Sequence, residues 1–352
     1  MKFENHTPFV GLSWEHIDSS NTPYLVSVCR IKFRLEELKD SEFQLVLDSN
    51  QGELFGKDVF FDDSNDTEIR YTSDYAPFKP LGDVIINTCS YSNSPFPINT
   101  WNCGIKIISS DNQIIKEKAL KITGSRQWIR KNNNWHLTAP QISSKVPIRY
   151  SLAYGWEIQI TDTDSQNNIL VRYDKNPIGC GLLHKEHPKD TVQAPQIESP
   201  SNPLNPKEPY KEYTYEGFGN IDKTWDDRFV YGGTYDDEWL KNQHPLLPKD
   251  FDYMFYQTSH PSMRIKNYIQ PNTKFILENL LPNKSICSFE IPSYNITNQI
   301  ISNTQTKSIN MHIDTVVVDI YHDDPSKWCV YLSYRSRHKT DEQITKSTIF
   351  VD

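Results

Sequence analysis

The sequence predicts a mostly β protein with sandwich-like antiparallel sheets, long loops and few short helices. Its 352 residues include 43 aromatic side chains but only five alanines, and isoleucine outnumbers leucine by 34 to 22. Alanine is the best helix former, whereas aromatic and β-branched side chains suit a pleated, half-buried surface. The composition therefore favours strands over helices.

Strand-like segments follow one another along the chain. Most alternate in polarity or run for four to eight residues between clusters of Asn, Asp, Gly, Pro and Ser. The predicted strands are residues 24–35, 43–47, 83–88, 105–108, 114–122, 156–160, 169–173, 274–281, 286–291, 309–321 and 328–334. In the first of them, alternation places Ile31 and Phe33 on a buried face and Arg30 and Arg34 on a solvated face.

Two segments depart from the strand pattern. Residues 236–242 have the best helical period and end before Pro245. The other segment, residues 188–209, contains six prolines. Prolines at this density disfavour the backbone pairing of a β-sheet and favour an extended chain. The predicted organisation is one unit (1–352) with an N-terminal β part (1–187), a proline-rich arm or crossover (188–212), and an aromatic-rich and C-terminal β part (213–352).

Composition and charge exclude several classes of protein. No run approaches the roughly 18 apolar residues of a membrane span, and the N-terminus has no signal-peptide core, so a cytoplasmic protein is expected. A net charge of −8 argues against nucleic acid as a partner. Six dispersed cysteines without a C-x-x-C pair indicate buried free thiols.

The sequence contains no recognisable catalytic or metal-binding motif. A phosphate-binding loop and a complete dinucleotide fingerprint are both missing. His184 and His187 lie three residues apart, but no third and fourth ligand accompany them recognisably. We therefore expect a protein that is not an enzyme and that has no metal site or cofactor.

Residues 210–256 are the distinctive region, with 13 aromatic, ten acidic and five basic side chains. Rings and acids together line sugar-binding clefts, where Asp226, Asp236 or Glu238 would serve a glycosidase. Tyr and Trp are also the usual energetic centres of protein–protein interfaces. A third interpretation is that the rings simply fill the core.

A string of short motifs runs through nearly the whole chain in a fixed order. The motifs are residues 73–84 (SDYAPFKPLGDV), 124–128 (GSRQW), 153–155 (AYG), 176–179 (NPIG), 217–219 (GFG), 233–236 (GTYD), 245–248 (PLLP), 250–252 (DFD) and 313–317 (IDTVV). Together they resemble a bacterial domain-of-unknown-function family whose genes lie beside those for type VI secretion spike proteins, PAAR spike tips and toxic effectors. The resemblance is densest across 225–255, and the chain departs from it at Trp156, where the family commonly has a second glycine.

The resemblance implies a non-enzymatic adaptor, or effector chaperone, that binds a cognate effector and helps to load it onto the spike. The implied partners are that effector and the PAAR or VgrG spike proteins, with no nucleic acid and no membrane. Two alternatives stay open: a carbohydrate-binding or glycoside-active protein that uses the acidic aromatic region, and a structural component exported with the spike.

The sequence also assigns roles to single residues. The expected partner contacts are Trp225, Tyr231, Tyr235 and Trp239. Structural roles are expected for Asp74, Lys79, Pro80, Asp83, Arg126, Trp128 and Arg228. Among these, Lys79 is expected to pair with Asp74 or Asp83, and the two arginines are expected to act as stacked clamps, Arg126 with Trp128 and Arg228 between Asp227 and Phe229.

Overall fold

The computed structural model describes residues 1–39, 41–61, 68–161, 167–340 and 342–351. Strands dominate this part of the chain, accompanied by two short α-helices and four 3-10 helices. The prediction of a mostly β fold with few short helices is therefore confirmed. No helix in the described part of the chain combines the length and apolar character needed to cross a bilayer.

The elements are numbered in chain order. The first strands are β1 (Lys2–Asn5), β2 (Val10–Ile17), β3 (Pro23–Lys39), β4 (Glu42–Leu47), β5 (Val59–Phe60), β6 (Ile69–Tyr71), β7 (Gly82–Asn87), β8 (Cys89–Tyr91), β9 (Thr100–Ile108), β10 (Ile114–Thr123), β11 (Gln127–Lys131), β12 (Asn134–Leu137) and β13 (Lys145–Pro147). The remaining strands are β14 (Tyr154–Gly155), β15 (Glu157–Thr161), β16 (Asn168–Arg172), β17 (Cys180–Gly181), β18 (Thr191–Gln193), β19 (Ile197–Glu198), β20 (Arg264–Ile265), β21 (Lys274–Leu281), β22 (Lys284–Glu290), β23 (Ile296–Ser302), β24 (Thr306–Asn310), β25 (His312–Asp319), β26 (Cys329–Lys339) and β27 (Ile344–Val351). The helices are α1 (Asp226–Phe229) and α2 (Asp237–Asn242), and the 3-10 helices are Tyr150–Leu152, Tyr253–Tyr256, Pro261–Met263 and Pro325–Lys327.

A twelve-stranded sheet forms the body of the described structure, in the order β19-β10-β9-β21-β22-β4-β3-β26-β25-β7-β20, with β2 paired to β3. Strands from both sides of the proline-rich region are neighbours in it, as where β26 pairs with β3. Most pairs are antiparallel, as predicted, but β25 and β7 are parallel, as are β22 and β4. These strands are far apart in the chain, so no hairpin turn dictates their direction.

A second sheet, β1-β27-β23-β24, covers one face of β3. The Ser27 hydroxyl on β3 accepts a hydrogen bond from the Asn298 amide on β23 at 2.7 Å. The opposite face of β3 is covered too, as the exposure of Arg30, only 2%, shows. The solvated face predicted for Arg30 was therefore wrong: an alternating pattern identifies two faces, but it does not reveal that a later segment covers the polar one.

Two other predictions need correction. Residues 309–321 form two strands, since β24 pairs with β23 in the second sheet whereas β25 pairs with β26 in the large one. The proline-rich region does pair, through β18 with β11 and β19 with β10. Its prolines flank these short strands without interrupting them, so the ladder bonds survive.

The core is one contiguous cluster that lines the large sheet and its covering loops. Its fully buried members include Phe33, Ile107, Trp128, Phe218 and Phe275. Each large apolar side chain buried in this way contributes roughly 1.5–3 kcal/mol. All six cysteines are buried and free, as the sequence predicted.

Candidate interaction surface

The aromatic-rich region divides at Trp225 into a buried part and a half-exposed part. Up to this residue the rings lie in the core, apart from exposed Tyr210; they are Tyr213, Tyr215, Phe218 and Trp225. Beyond it no ring is buried; these are Phe229, Tyr231, Tyr235, Trp239, Phe251, Tyr253, Phe255 and Tyr256. Residues 225–256 are called the aromatic segment below.

Trp225 anchors this segment to the body of the protein. Its side chain is 3% exposed and meets Tyr150 edge-on, with ring centroids 5.3 Å apart. Tyr215 packs on it as well, at 6.3 Å. The partner contact predicted for Trp225 is therefore corrected, because a ring enclosed by other rings presents no surface to another protein.

Arg228, on α1, fixes the segment from inside. Its Nε donates to the carbonyl of Phe255 at 2.9 Å and its Nη1 donates to that of Ile221 at 2.8 Å. The guanidinium lies 5.4 Å from the centre of the Phe255 ring. The expected clamp between Asp227 and Phe229 was wrong, since adjacent residues of a helix point in different directions. Phe229 is consequently left 65% exposed.

Helix α2 carries the next pair of rings. The carboxylate of Asp236 caps the helix by accepting a hydrogen bond from the backbone N–H of Trp239 at 2.8 Å. The ring of Tyr235 meets Trp239 edge-on at 4.7 Å, and the indole N–H of Trp239 donates to the Leu246 carbonyl at 2.9 Å. Trp239 is thus held on one side, while Tyr235 stays 56% exposed.

The loop after α2 is tied to the rest of the protein by polar contacts. The side-chain amide of Gln243 donates to the carbonyl of Ser19 at 2.6 Å. The backbone N–H and the hydroxyl of Thr234 donate to Asp250 at 3.0 and 2.7 Å, which holds the pKa of this carboxyl below its ordinary value. Burial raises the pKa of Tyr256 to about 12. The segment therefore has a fixed shape before any partner binds.

Apolar side chains remain exposed on this rigid support. Phe229, Val230, Tyr235 and Leu240 are each at least 56% exposed, and Tyr231 and Trp239 are half-buried beside them in the chain. We call these six residues the acidic aromatic surface, because residues 225–256 carry seven acidic and only three basic side chains. The concentration of exposed apolar side chains within residues 229–240 makes this segment the candidate binding surface.

Sequence reasoning chose Tyr231, Tyr235 and Trp239 as partner contacts but did not choose Phe229, Val230 and Leu240. The detectable signal was helix length: Phe229 and Leu240 lie on helices of four and six residues, too short to bury a full apolar face.

Two of the three acids proposed for sugar chemistry use their carboxylates in other contacts, and for the third, Asp226, the contact is made by its backbone. Asp236 caps α2, and the Glu238 carboxylate accepts a hydrogen bond from the Asn242 amide at 2.7 Å. The backbone N–H of Asp226 donates to the Asp174 carbonyl at 3.0 Å. Within the described ranges, no group of three or more His, Cys, Asp or Glu side chains is arranged to hold a metal ion.

The motif around Asp74 and Lys79 lies elsewhere, beneath the large sheet. Its ion pairs are buried: Arg30 Nη1 donates to Asp74 Oδ2 at 2.6 Å, and Lys79 Nζ donates to Asp83 Oδ2 at 2.8 Å. Of the two acids proposed for Lys79, the structure pairs it with Asp83. Pro80 follows directly and is half-buried.

A third buried pair completes this cluster, where Arg335 Nε donates to Asp314 Oδ2 at 2.5 Å. Arg335 also donates to the Asp74 carbonyl at 2.9 Å, and Lys79 donates to the Thr315 hydroxyl at 2.9 Å. We call Arg30, Asp74, Lys79, Asp83, Asp314 and Arg335 the charged layer. Its three cations and three anions balance.

The charge of Lys79 and the surrounding hydrogen bonds set the direction of the Asp83 pKa shift. Burial alone would raise the pKa of this carboxyl, but Lys79 and the donors of Ser259 and Thr258 together hold it below its ordinary value. At Asp74 burial prevails and the pKa is raised, in spite of Arg30. Because every charge of the layer has an opposite partner, the layer serves the fold.

Arg126 and Trp128 adopt separate roles. Arg126 pairs with the carboxylate of Glu198, which also accepts hydrogen bonds from the Thr123 hydroxyl at 2.8 Å and the Leu204 backbone N–H at 2.6 Å. Trp128 is 1% exposed in the core. The predicted Arg126–Trp128 clamp is replaced by a clamp on the proline-rich region, because Glu198 lies on β19 beside β10.

Comparison with protein families gives one match. The model of a family described as "Uncharacterized protein conserved in bacteria (DUF2169)" matches residues 20–335. The match includes the charged layer and the whole aromatic segment. No curated protein and no solved structure matches the chain significantly.

Proposed function

Because the chain belongs to this bacterial DUF2169 family, we propose that it is a non-enzymatic adaptor, or effector chaperone, for type VI secretion. It binds a cognate effector in the cytoplasm and aids its loading onto the spike, with PAAR or VgrG proteins as further partners. The link to secretion rests on the motif resemblance. The acidic aromatic surface is the observation that supports a binding role.

The chemistry of this surface suits recognition of a protein. Phe229, Val230, Tyr235 and Leu240 offer apolar area that a partner would remove from water, at roughly 25 cal/mol per Å². Tyr and Trp lose little side-chain entropy on binding and are frequent energetic centres of interfaces. The surrounding acids favour a partner segment that is apolar at its centre and basic at its rim.

Such an adaptor needs no energy source. An effector segment that is unstable alone gains stability by mass action when it is bound, in proportion to RT ln(1 + [L]/Kd). The pre-formed support of Arg228, Trp225 and Trp239 lowers the ordering cost of the adaptor itself.

The test is co-expression of the tagged chain with the effector and spike proteins encoded beside it. We expect one effector to co-purify in a stoichiometric complex, and the double variant Tyr235→Ala/Leu240→Ala to lose it. Tyr210→Ala is the matched control, since Tyr210 is 46% exposed but lies outside the acidic aromatic surface. Failure of every neighbouring effector and spike protein to co-purify with the unmodified chain would overturn the proposal.

A further inference from the structure

A groove of about 670 Å³ lies beside the hairpin formed by β15 and β16. Residues 157–159 of β15 line it together with the three residues of β18. The rest of the lining comes from Trp156 and from residues 151–152, 178–181 and 187–189. β15 pairs only with β16, and β18 pairs only with β11, among the described strands. The groove is thus bordered by two strands that each have one unpaired edge.

The hydrogen-bond phase of the hairpin shows which groups of β15 are free. The N–H of Tyr173 donates to the carbonyl of Trp156 at 3.0 Å, and the register continues through Ile158 with Val171. Since bonded and non-bonded pairs alternate in an antiparallel ladder, Glu157, Gln159 and Thr161 turn their N–H and C=O groups away from β16. No described hydrogen bond reaches these outward backbone groups.

The facing strand has the same property. The N–H of Arg130 donates to the Asp190 carbonyl at 2.8 Å, and the N–H of Ala194 donates to the Arg126 carbonyl at 3.0 Å. The same alternation turns the backbone groups of Thr191 and Gln193 away from β11. A strand edge that exposes a row of backbone donors and acceptors can pair with another extended main chain.

Trp156 is a second, independent observation at the same groove. Its φ of +124° is a conformation that a side-chain-bearing residue rarely adopts, and the residue is 44% exposed. Backbone strain of this kind persists only where the surroundings enforce it, and it clusters at ligand clamps. Here the strain holds a large ring at the groove, next to the free edge of β15.

The side chains of the hairpin indicate the pattern of an added strand. Ile158 and Ile160 point inward and are 4% and 5% exposed, whereas Glu157, Gln159 and Thr161 face solvent. A strand added to β15 would continue this alternation, with apolar residues on the inner face and polar residues on the outer face. The five residues of β15 offer about 17 Å of edge.

We infer that this groove binds an extended peptide segment of the effector by adding it as a strand to the free edge of β15. The segment has at least five residues and alternates apolar with polar side chains, and one of its apolar side chains packs on Trp156. The inference rests on the proposed function. The hairpin adjoins the start of the aromatic segment, since the Asp226 N–H donates to the Asp174 carbonyl just after β16.

The test uses proline at position 159. Gln159→Pro removes only the outward N–H of β15 and keeps the bonds to β16, whereas Gln159→Ala keeps that N–H and serves as the matched control. The probe is a set of overlapping 15-residue peptides covering the effector that co-purifies with the chain, measured by fluorescence anisotropy. We expect one peptide of alternating polarity to bind the unmodified chain and Gln159→Ala equally, and to bind Gln159→Pro at least tenfold more weakly.

A second pair of variants separates binding from folding. Trp156→Gly relieves the unfavourable φ and Trp156→Ala does not, so the glycine variant should melt at a higher temperature than the alanine variant. Both should bind the same peptide at least threefold more weakly. A ring with only a structural role would change the melting temperature and leave peptide binding unaltered, which would contradict the inference.

The remaining outcomes distinguish the two proposals. If the intact effector co-purifies but binds Gln159→Pro and the unmodified chain equally, strand addition is wrong and the adaptor function stands. If no effector co-purifies and no peptide binds, both are overturned. If light scattering shows a dimer that Gln159→Pro converts to a monomer, the occupant of the edge is a second copy of the chain and the peptide proposal fails.

Discussion

The charged layer and the acidic aromatic surface reverse the usual distribution of side chains in a globular protein. The layer buries six ionisable groups beneath the large sheet, with exposures between 0% and 6%. The surface instead leaves four large apolar side chains at least 56% exposed. Both lie in regions rich in the family's motifs. They differ because the charges of the layer find partners within the chain, whereas the apolar side chains of the surface do not.

This difference separates structure from function. Each charge of the layer has an opposite charge and further hydrogen bonds, as at Asp83, which accepts from Lys79, Gln257 and Ser259. The charges are thus paired within the chain, although Arg30 Nε has no hydrogen-bond partner among the described residues. The exposed rings of the surface gain nothing from remaining in water, so their interaction energy is available to another protein. Four predictions test this contrast.

The largest effect is expected for Asp83→Asn. The change leaves the Lys79 ammonium buried without its counter-charge, which costs about 3–5 kcal/mol of unfolding free energy. Because the pKa of Asp83 is lowered in the fold, its contribution is present above about pH 4 and is lost as the pH falls through the folded value. Urea unfolding between pH 3 and pH 7 measures both effects. Wild-type stability in the variant would show that the layer is dispensable.

Trp225→Ala tests the boundary between the buried and exposed rings. Removing a ring packed on Tyr150 and Tyr215 should cost about 3 kcal/mol of stability. Trp225→Phe is the control and should cost less, since it keeps most of the ring volume. Binding of the effector by the folded fraction should stay normal in both variants. A specific loss of binding without a loss of stability would return Trp225 to the interface.

Lys118 tests a buried charge outside the charged layer, paired with Glu216. Its ammonium lies 3.1 Å from the Glu216 carboxylate, and burial lowers its pKa to about 8. The folded state therefore disfavours the charged form of Lys118. Its cost to the unfolding free energy is full below about pH 8, the folded pKa, and fades as the pH rises toward 10.5, the ordinary pKa of lysine. Lys118→Met should stabilise the protein at pH 7 by up to about 3 kcal/mol. The difference in unfolding free energy from wild type should shrink between pH 8 and pH 10; a constant difference would contradict this.

The smallest effect on stability is expected at the surface itself. Tyr235→Ala and Leu240→Ala should each change the unfolding free energy by less than about 0.5 kcal/mol, because neither side chain is buried. Each should weaken effector binding by more than about 1 kcal/mol. Calorimetry on the purified complex measures the second quantity and thermal melts the first. A melting temperature that falls while binding holds would identify these residues as structural.

Much of the fold was predictable because the local polarity pattern of the sequence determines where strands and helices form. The strand at 274–281 was predicted with the bounds it has, and the helix at 236–242 is confirmed to within one residue. The errors lie where distant segments meet. Arg30 looked like a solvated residue until residue 74, forty-four positions later, supplied its counter-charge.

The candidate surface was likewise predictable only where local sequence determines it. Composition located it in residues 210–256, and no local signal separated Trp225 from Tyr235. The separation comes from the position of each ring relative to Tyr150 and the large sheet. The sequence also could not predict the outward edges of β15 and β18 at the groove, because the alternation of bonded and non-bonded pairs depends on the partner strand.

The sequence by itself determined the β class, the short helix, the free thiols and the family, because each follows from local period, composition or motif order. Only the tertiary structure decided that charges lie inside, that apolar side chains stay outside, and which strand edges remain open. The physical reason is that burial and hydrogen-bond satisfaction belong to pairs of segments brought together by folding, and no single segment encodes its partner.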